Sequence, residues 1–193
     1  MAVQRDVVVN KLAGLEVKAN EEGLIPAFNV FVNILPVAFW NSFTDRLLKA
    51  VPPARRSQAE AGLVQCAREC GYHTGLGIIT SPEFKSVVEP MITDGAKDVL
   101  RGAYAVFTAW GWAKSGIVQI KEGERMVIRA MDYYEADGER GEHRAFMIRG
   151  VSAAFFDLAY GKPYPDGMGT YTCSQTKGIE SGDQFGEFEV TKA

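Results

Sequence analysis

Apolar and polar positions change period partway along the chain. Up to about residue 110 the apolar residues recur mostly every three to four positions, and beyond it most of them alternate. Asn41 to Ala50 (NSFTDRLLKA) predicts a helix that Pro52-Pro53 stops. Ser57, with Glu60 three residues on, forms a capping box for the next helix, QAEAGLVQCARECGYHTGLGII. Helical spacing puts Leu63, Ala67 and Cys70 on its buried stripe. Gly71, Gly75 and Gly77 loosen its end, and close helix packing or a C-cap is the simpler account of them than approach to a ligand. Ser81-Pro82-Glu83 predicts a fresh start, with Ser81 as N-cap and Pro82 in the first helical position. That helix, PEFKSVVEPMI, bends or ends near Pro90. TDGAKDVLRGAYAVFTAWG then sets Val99, Ala103, Val106 and Trp110 along one stripe.

The second half reads differently. GIVQIKEG and ERMVIRAMDYYE alternate about Gly123 and predict a β-hairpin. Residues 137–142 form a charged loop, with His143 beside it in solvent. AFMIRGVSAAFFDLAYG predicts a short strand and then a helix ending at Gly161. TYTCSQTKG and QFGEFEV predict two antiparallel strands joined by a tight turn at Ser181-Gly182-Asp183. Helices first and hairpins later give an α+β fold, with a helical N-terminal half packed on an antiparallel sheet of C-terminal hairpins. A length of 193 residues suits one domain.

Composition narrows the function. The net charge of −3 and the lack of any Lys/Arg-rich run argue against nucleic acid as a partner. The most apolar stretch, LIPAFNVFVNILPVAFW (24–40), is interrupted by Pro26, Asn29, Asn33 and Pro36, so it reads as buried or groove-forming and not as a membrane span. The start of the chain carries charges throughout and has no secretory pattern. Three cysteines are too few for a disulfide framework, which suits a reducing cytoplasm.

Several residues could carry chemistry. Cys66, Cys70 and His73 fall at i, i+4 and i+7 of one helix and have zinc-ligand side chains. Spread over two turns of a straight helix, they cannot converge on one ion, so no metal and no cofactor is expected there. His73 remains a candidate polar anchor or acid/base group. Asp132 reads as an ion-pair partner of Arg129 or Arg149 before it reads as a catalytic carboxylate. The aromatic residues Tyr104, Phe107, Trp110, Trp112, Tyr133, Tyr134, Phe155, Phe156 and Tyr160 are dense enough to line a pocket for an apolar ligand.

The run AWGWAKSGIVQI, then RMVIRAMDYY, RGVSAAFFDLAYG and CSQTKGIESGDQFGEFEV, resembles the 4-vinyl reductase-type small-molecule-binding domains. That family includes hydrocarbon-binding proteins and the sensor domains of aromatic-responsive transcription activators, and it shares its fold with a vesicle-tethering subunit that buries an acyl chain. The resemblance spans Tyr104 to Val190 and only the outline of the rest. Metal-binding members carry ligands where this chain has Ala145, Thr172, Cys173 and Gly186, so only Cys173 keeps a ligating side chain of that set. One cysteine falls short of a zinc site, and Cys173 is expected to serve as an ordinary strand residue. The last strands are also similar to the L-2-aminothiazoline-4-carboxylate hydrolases, through Ser174-Gln175-Thr176 and Gly182-Asp183.

For this single domain over residues 1–193, the resemblance thus implies a homodimer that binds a small apolar or aromatic molecule through Tyr104, Phe107, Trp110, Trp112, Tyr133 and Phe155, with His73 or Tyr133 orienting a polar group. The alternative is a hydrolase in which Cys173, His73 and a carboxylate such as Asp132 share one cavity. A third reading is a subunit that exposes Phe28, Phe31, Phe39 and Trp40 to a partner protein.

Overall fold

A computed structural model describes residues 3–136, 142 and 144–193. The alternating second half folds as expected into antiparallel strands: β3 (Ala113–Lys121), β4 (Arg125–Tyr133), β5 (Tyr171–Lys177) and β6 (Gly186–Lys192), in the order β3-β4-β6-β5. Met126, Ile128, Phe188, Val190, Tyr171 and Cys173 point from these strands into one core. The opposite face is laced with charge. Arg125 pairs with Glu189, and Arg129 pairs with Glu187 at 2.9 Å while covering the ring of Phe185 at 4.7 Å.

The helices are α1 (Arg5–Ala13), α2 (Val37–Ala50), α3 (Arg56–Thr80), α4 (Pro82–Val87), α5 (Gly95–Ala109) and α6 (Phe146–Tyr160). With the two sheets they make an α+β fold. Among the described residues no helix is long and apolar enough to cross a membrane. Helix α6 lies between the sheet and α3. At Gly150 an added Cβ would stand 2.3 Å from Val64 O and 2.5 Å from Ala67 Cβ, and at Gly71 one would stand 2.9 Å from Val151 Cα. Missing side chains on both helices therefore set their close approach.

Several boundaries differ from the sequence reading. Helix α2 begins at Val37 and not at Asn41, because Pro36 ends the extended segment and its carbonyl accepts the Phe39 N–H at 2.9 Å. Helix α3 begins at Arg56, fed by a 3₁₀ turn at Pro53–Arg55, so Ser57 lies inside it and Glu60 pairs with Arg56 at 3.2 Å. Its buried ridge is Ala67, Gly71, Gly75 and Ile78, which face α6 and its neighbours. Leu63 is only half-buried and Cys70 is exposed. The glycines do not loosen the helix, which runs unbroken to Thr80. Ser81 caps α4 as expected, its Oγ accepting the Phe84 N–H at 3.1 Å.

The expected short strand at the start of AFMIRG is helix instead, because α6 begins at Phe146. The Glu135 carboxylate accepts the N–H groups of Met147 and Ile148, each at 2.9 Å, and starts the helix at Phe146. Strands β5 and β6 are joined by residues 178–185, including a 3₁₀ turn at Ile179–Ser181, and not by a tight turn. The apolar stretch 24–40 splits into a small hairpin, β1 (Ile25–Ala27) and β2 (Val30–Val32), followed by the start of α2. Phe28 is buried, but Phe31, Ile34, Leu35, Val37 and Phe39 are exposed, so most of that stretch is not core. The charged loop lies largely outside the described residues, and His143 lies wholly outside them.

Candidate functional site

The hairpin β1–β2 folds over α3 and α5 and closes an apolar cavity of about 70 Å³. Its turn residues, Phe28 and Asn29, both have positive φ, at 50° and 59°. Type I′ hairpin turns require that conformation at both positions. Asn adopts it readily and Phe rarely, and burial of its ring helps hold Phe28 in place. Phe28 is 3% exposed and meets Trp110 edge-on at 4.7 Å. Gly77 admits the hairpin tip to α3: a Cβ there would be 2.7 Å from Val30 Cγ1.

The rest of the wall comes from Cys70, Gly71, Thr74 and Ile78 of α3, from Val106, Phe107 and Trp110 of α5, from Trp112, and from Val151 and Phe155 of α6. Phe107 and Trp112 lie 5.0 Å apart, and Phe107 meets Phe155 edge-on at 5.9 Å. Tyr134 stands edge-on behind Trp112 at 5.8 Å, and burial holds its hydroxyl well above the ordinary tyrosine pKa. Heteroatoms are few along this wall: the Cys70 thiol, the Thr74 hydroxyl and the indole nitrogens of Trp110 and Trp112. A cavity of this kind holds an apolar body and has few means of binding a charge.

Four of the aromatic residues proposed from sequence therefore converge: Phe107, Trp110, Trp112 and Phe155. Tyr104 sits behind them, 2% exposed, and its hydroxyl donates to Ser152 Oγ at 2.9 Å. Tyr133 faces away into a second polar cluster, donating to Glu180, while the Ile179 N–H donates to its oxygen at 3.1 Å. Burial, then the bond to Glu180, pushes the Tyr133 hydroxyl far above its usual pKa. His73 is exposed on α3, with Nδ1 2.7 Å from the Tyr164 hydroxyl.

The three residues considered for catalysis occupy three different settings. Cys173 is 3% exposed within the sheet core, and burial pushes its thiol up to about 12, so it stays protonated at neutral pH. His73 is outside the core, and Asp132 is exposed on β4. Cys66, Cys70 and His73 are likewise exposed along α3. Among the described residues no group of three or more His, Cys, Asp or Glu side chains is placed to hold a metal ion.

The positions matched to the metal ligands of the resembling family do not all meet. Ala145 and Gly186 border one cluster, in which the Ala145 N–H donates to Gln175 Oε1 at 3.2 Å. A Cβ at Gly186 would lie 2.6 Å from the Tyr133 ring. The side chain that reaches this cluster from β5 is Gln175, which donates to Glu180 Oε1 at 2.6 Å. Cys173 lies two residues away, paired with Val190. Buried hydrogen bonds among Tyr133, Gln175 and Glu180 fill this place.

Sequence reasoning missed the hairpin wall of Phe28, Val30 and Val32, and Cys70 and Thr74 as wall residues. Two short alternating runs about Phe28-Asn29 were the available signal.

No known family's sequence profile matches this chain, and no curated protein matches it in sequence. Solved structures do resemble it. The phenol-responsive sensory domain of the transcription activator PoxR, with phenol, superposes with a TM-score of 0.68 at 15% identity, covering 100% of this chain and 92% of that one. A trafficking protein particle complex subunit 3 from Naegleria fowleri, covalently bound to palmitic acid, gives a TM-score of 0.55 at 14% identity, covering 81% of this chain and 92% of that one. At such identities the likeness is one of fold.

Proposed function

We propose that this chain binds a small aromatic or apolar molecule in the cavity beneath β1–β2, as a sensor or carrier. The observation that carries this reading is the convergence of Phe107, Trp110, Trp112 and Phe155 on one cavity nearly devoid of polar groups. The fold shared with a phenol-responsive sensory domain supports it. At about 70 Å³ the cavity has roughly half the ~150 Å³ that accommodates benzene in an engineered protein core. A ring ligand is therefore admitted by outward movement of the hairpin, whose six strand residues are none of them fully buried. Phenol titrated into the protein should quench tryptophan fluorescence saturably, and a Trp112→Leu variant should lose most of that response. A linear, non-saturating response that is the same in both proteins would refute the assignment.

The apolar face that β2, α2 and the segment between them turn outward supports a homodimer. Phe31, Ile34, Phe39 and Phe43 are 65%, 74%, 47% and 47% exposed. Helix α2 buries only Leu48 within its own chain, and a helix of 14 residues draws most of its stability from packing. A second copy covers this face. Light scattering should give twice the 21.2 kDa chain mass, and the double variant Phe39→Glu, Phe43→Glu should give the single mass. A wild-type monomer at high concentration would remove the dimer from the account.

A further inference from the structure

A second cavity, of about 310 Å³, lies between α3, α5 and α6. The reading above gives it no role. Its wall includes Ile79 of α3, Val99, Leu100 and Ala103 of α5, and Leu158 of α6. No lining side chain carries a nitrogen, oxygen or sulfur atom, and Phe155 supplies the sole aromatic ring. The wall of the aromatic cavity, by contrast, includes Cys70, Thr74 and the two indoles. The two cavities have one lining residue in common, Phe155.

The setting of Phe155 explains how one ring can divide two spaces. It is 4% exposed and meets Tyr104 and Phe107 edge-on at 5.7 and 5.9 Å. On its other side it lies over Gly75, where a Cβ would be 3.1 Å from two ring atoms. The ring thus rests on bare helix backbone, with no side chain from that position to wedge it. Gly71, one turn earlier on α3, borders the aromatic cavity, while Gly75 borders the aliphatic one. Gly71 and Gly75 thus place bare helix backbone in the wall of each cavity, on either side of the Phe155 ring.

We infer that the two cavities are head and tail compartments of one site, divided by the Phe155 ring, and that the ligand is an amphiphile with an aromatic head and an unbranched alkyl tail. This rests on the aromatic pocket proposed above and specifies what it binds. The aliphatic wall offers a polar head no partner, and it gives an alkyl chain contact on three sides. Its volume is about twice that of the ~150 Å³ cavity that holds a six-carbon ring, so it takes roughly a dozen carbon atoms at most. Ile79, Val99 and Leu158 are only half-buried, and a tail would remove that apolar surface from water.

The test is calorimetric titration of phenol, 4-propylphenol and 4-hexylphenol into the wild-type chain and into Ala159→Leu. This substitution adds bulk at a half-buried position of the tail compartment. A thermal melt first confirms that the variant is folded. Wild-type affinity should rise by about fourfold for each methylene that enters the compartment, and Ala159→Leu should lose that dependence. If phenol binds and added carbons bring no gain, the tail compartment is overturned and the aromatic pocket stands. An equal gain in both proteins places the tail elsewhere and also overturns it. If 4-hexylphenol binds with the expected dependence and phenol does not, the tail compartment is supported and the aromatic pocket falls. If none of the three binds, both fall together.

Discussion

The framework of α6 and its sheet and the cover made by β1–β2 and α2 are built on opposite principles. In the framework, buried polar groups are tied at several points. Asp157 is fully buried and accepts from Arg68 Nε at 3.1 Å, from the Gly169 N–H at 3.0 Å and from the Tyr171 N–H at 2.8 Å. Glu180, 1% exposed, joins Tyr133, Gln175 and the Arg144 N–H. The cover meets the rest of the chain through the buried ring of Phe28 and through polar ties that are exposed or half-buried: Asn29 Nδ2 at 3.4 Å from Thr80 Oγ1, Asn41 Nδ2 at 3.1 Å from the Tyr134 carbonyl, and Asp45 with Arg144 at 3.1 Å. The aromatic cavity lies where the two meet. The difference teaches that one wall of the site is more firmly tied than the other, as admission of the proposed ring ligand requires.

The sharpest way to break this contrast is a pair of substitutions. Asp157→Ala strands the Arg68 guanidinium, 13% exposed, without its counter-charge and should cost about 3–5 kcal/mol of unfolding free energy. Phe43→Ala, in the cover, should change it by less than about 0.5 kcal/mol at a concentration where the chain is monomeric. Urea unfolding measures both. Similar losses at the two sites would erase the distinction between framework and cover.

A smaller effect concerns Asp98 at the start of α5, outside both regions. Burial opposes its charge, but donation from the Thr93 N–H, Arg101, the Asp94 N–H and the Thr93 hydroxyl outweighs burial and lowers its pKa from 3.8 to about 2. A folded pKa below the unfolded one means stability that is complete above about pH 4 and is lost as the pH falls toward 2. Asp98→Asn should therefore flatten the acid limb of stability between those limits. An acid limb identical to wild type would show that Asp98 contributes nothing there.

The sequence made part of this legible, and the boundary follows the range of the interactions. Ser81 caps its own helix three residues on, and the hairpin about Gly123 is local, so both were readable. The start of α6 was not, because its cap, Glu135, lies 12 and 13 positions before the groups it accepts. Tyr133 looked like a pocket residue until its partner, Glu180, arrived from 47 positions away. The aromatic density drew attention to Phe107, Trp110, Trp112 and Phe155, which line one cavity. The hairpin wall stayed hidden because Phe28 adopts a backbone conformation that a phenylalanine rarely takes, and only the burial of its ring against Trp110 accounts for it.

The most direct test of the central claim is amide hydrogen exchange with and without saturating phenol. The account predicts slower exchange in residues 25–32, where the hairpin closes on the ring, and in residues 106–112, with the sheet of β3 to β6 unchanged. Phenol binding that protects the sheet, or another surface, and leaves the hairpin untouched would contradict it.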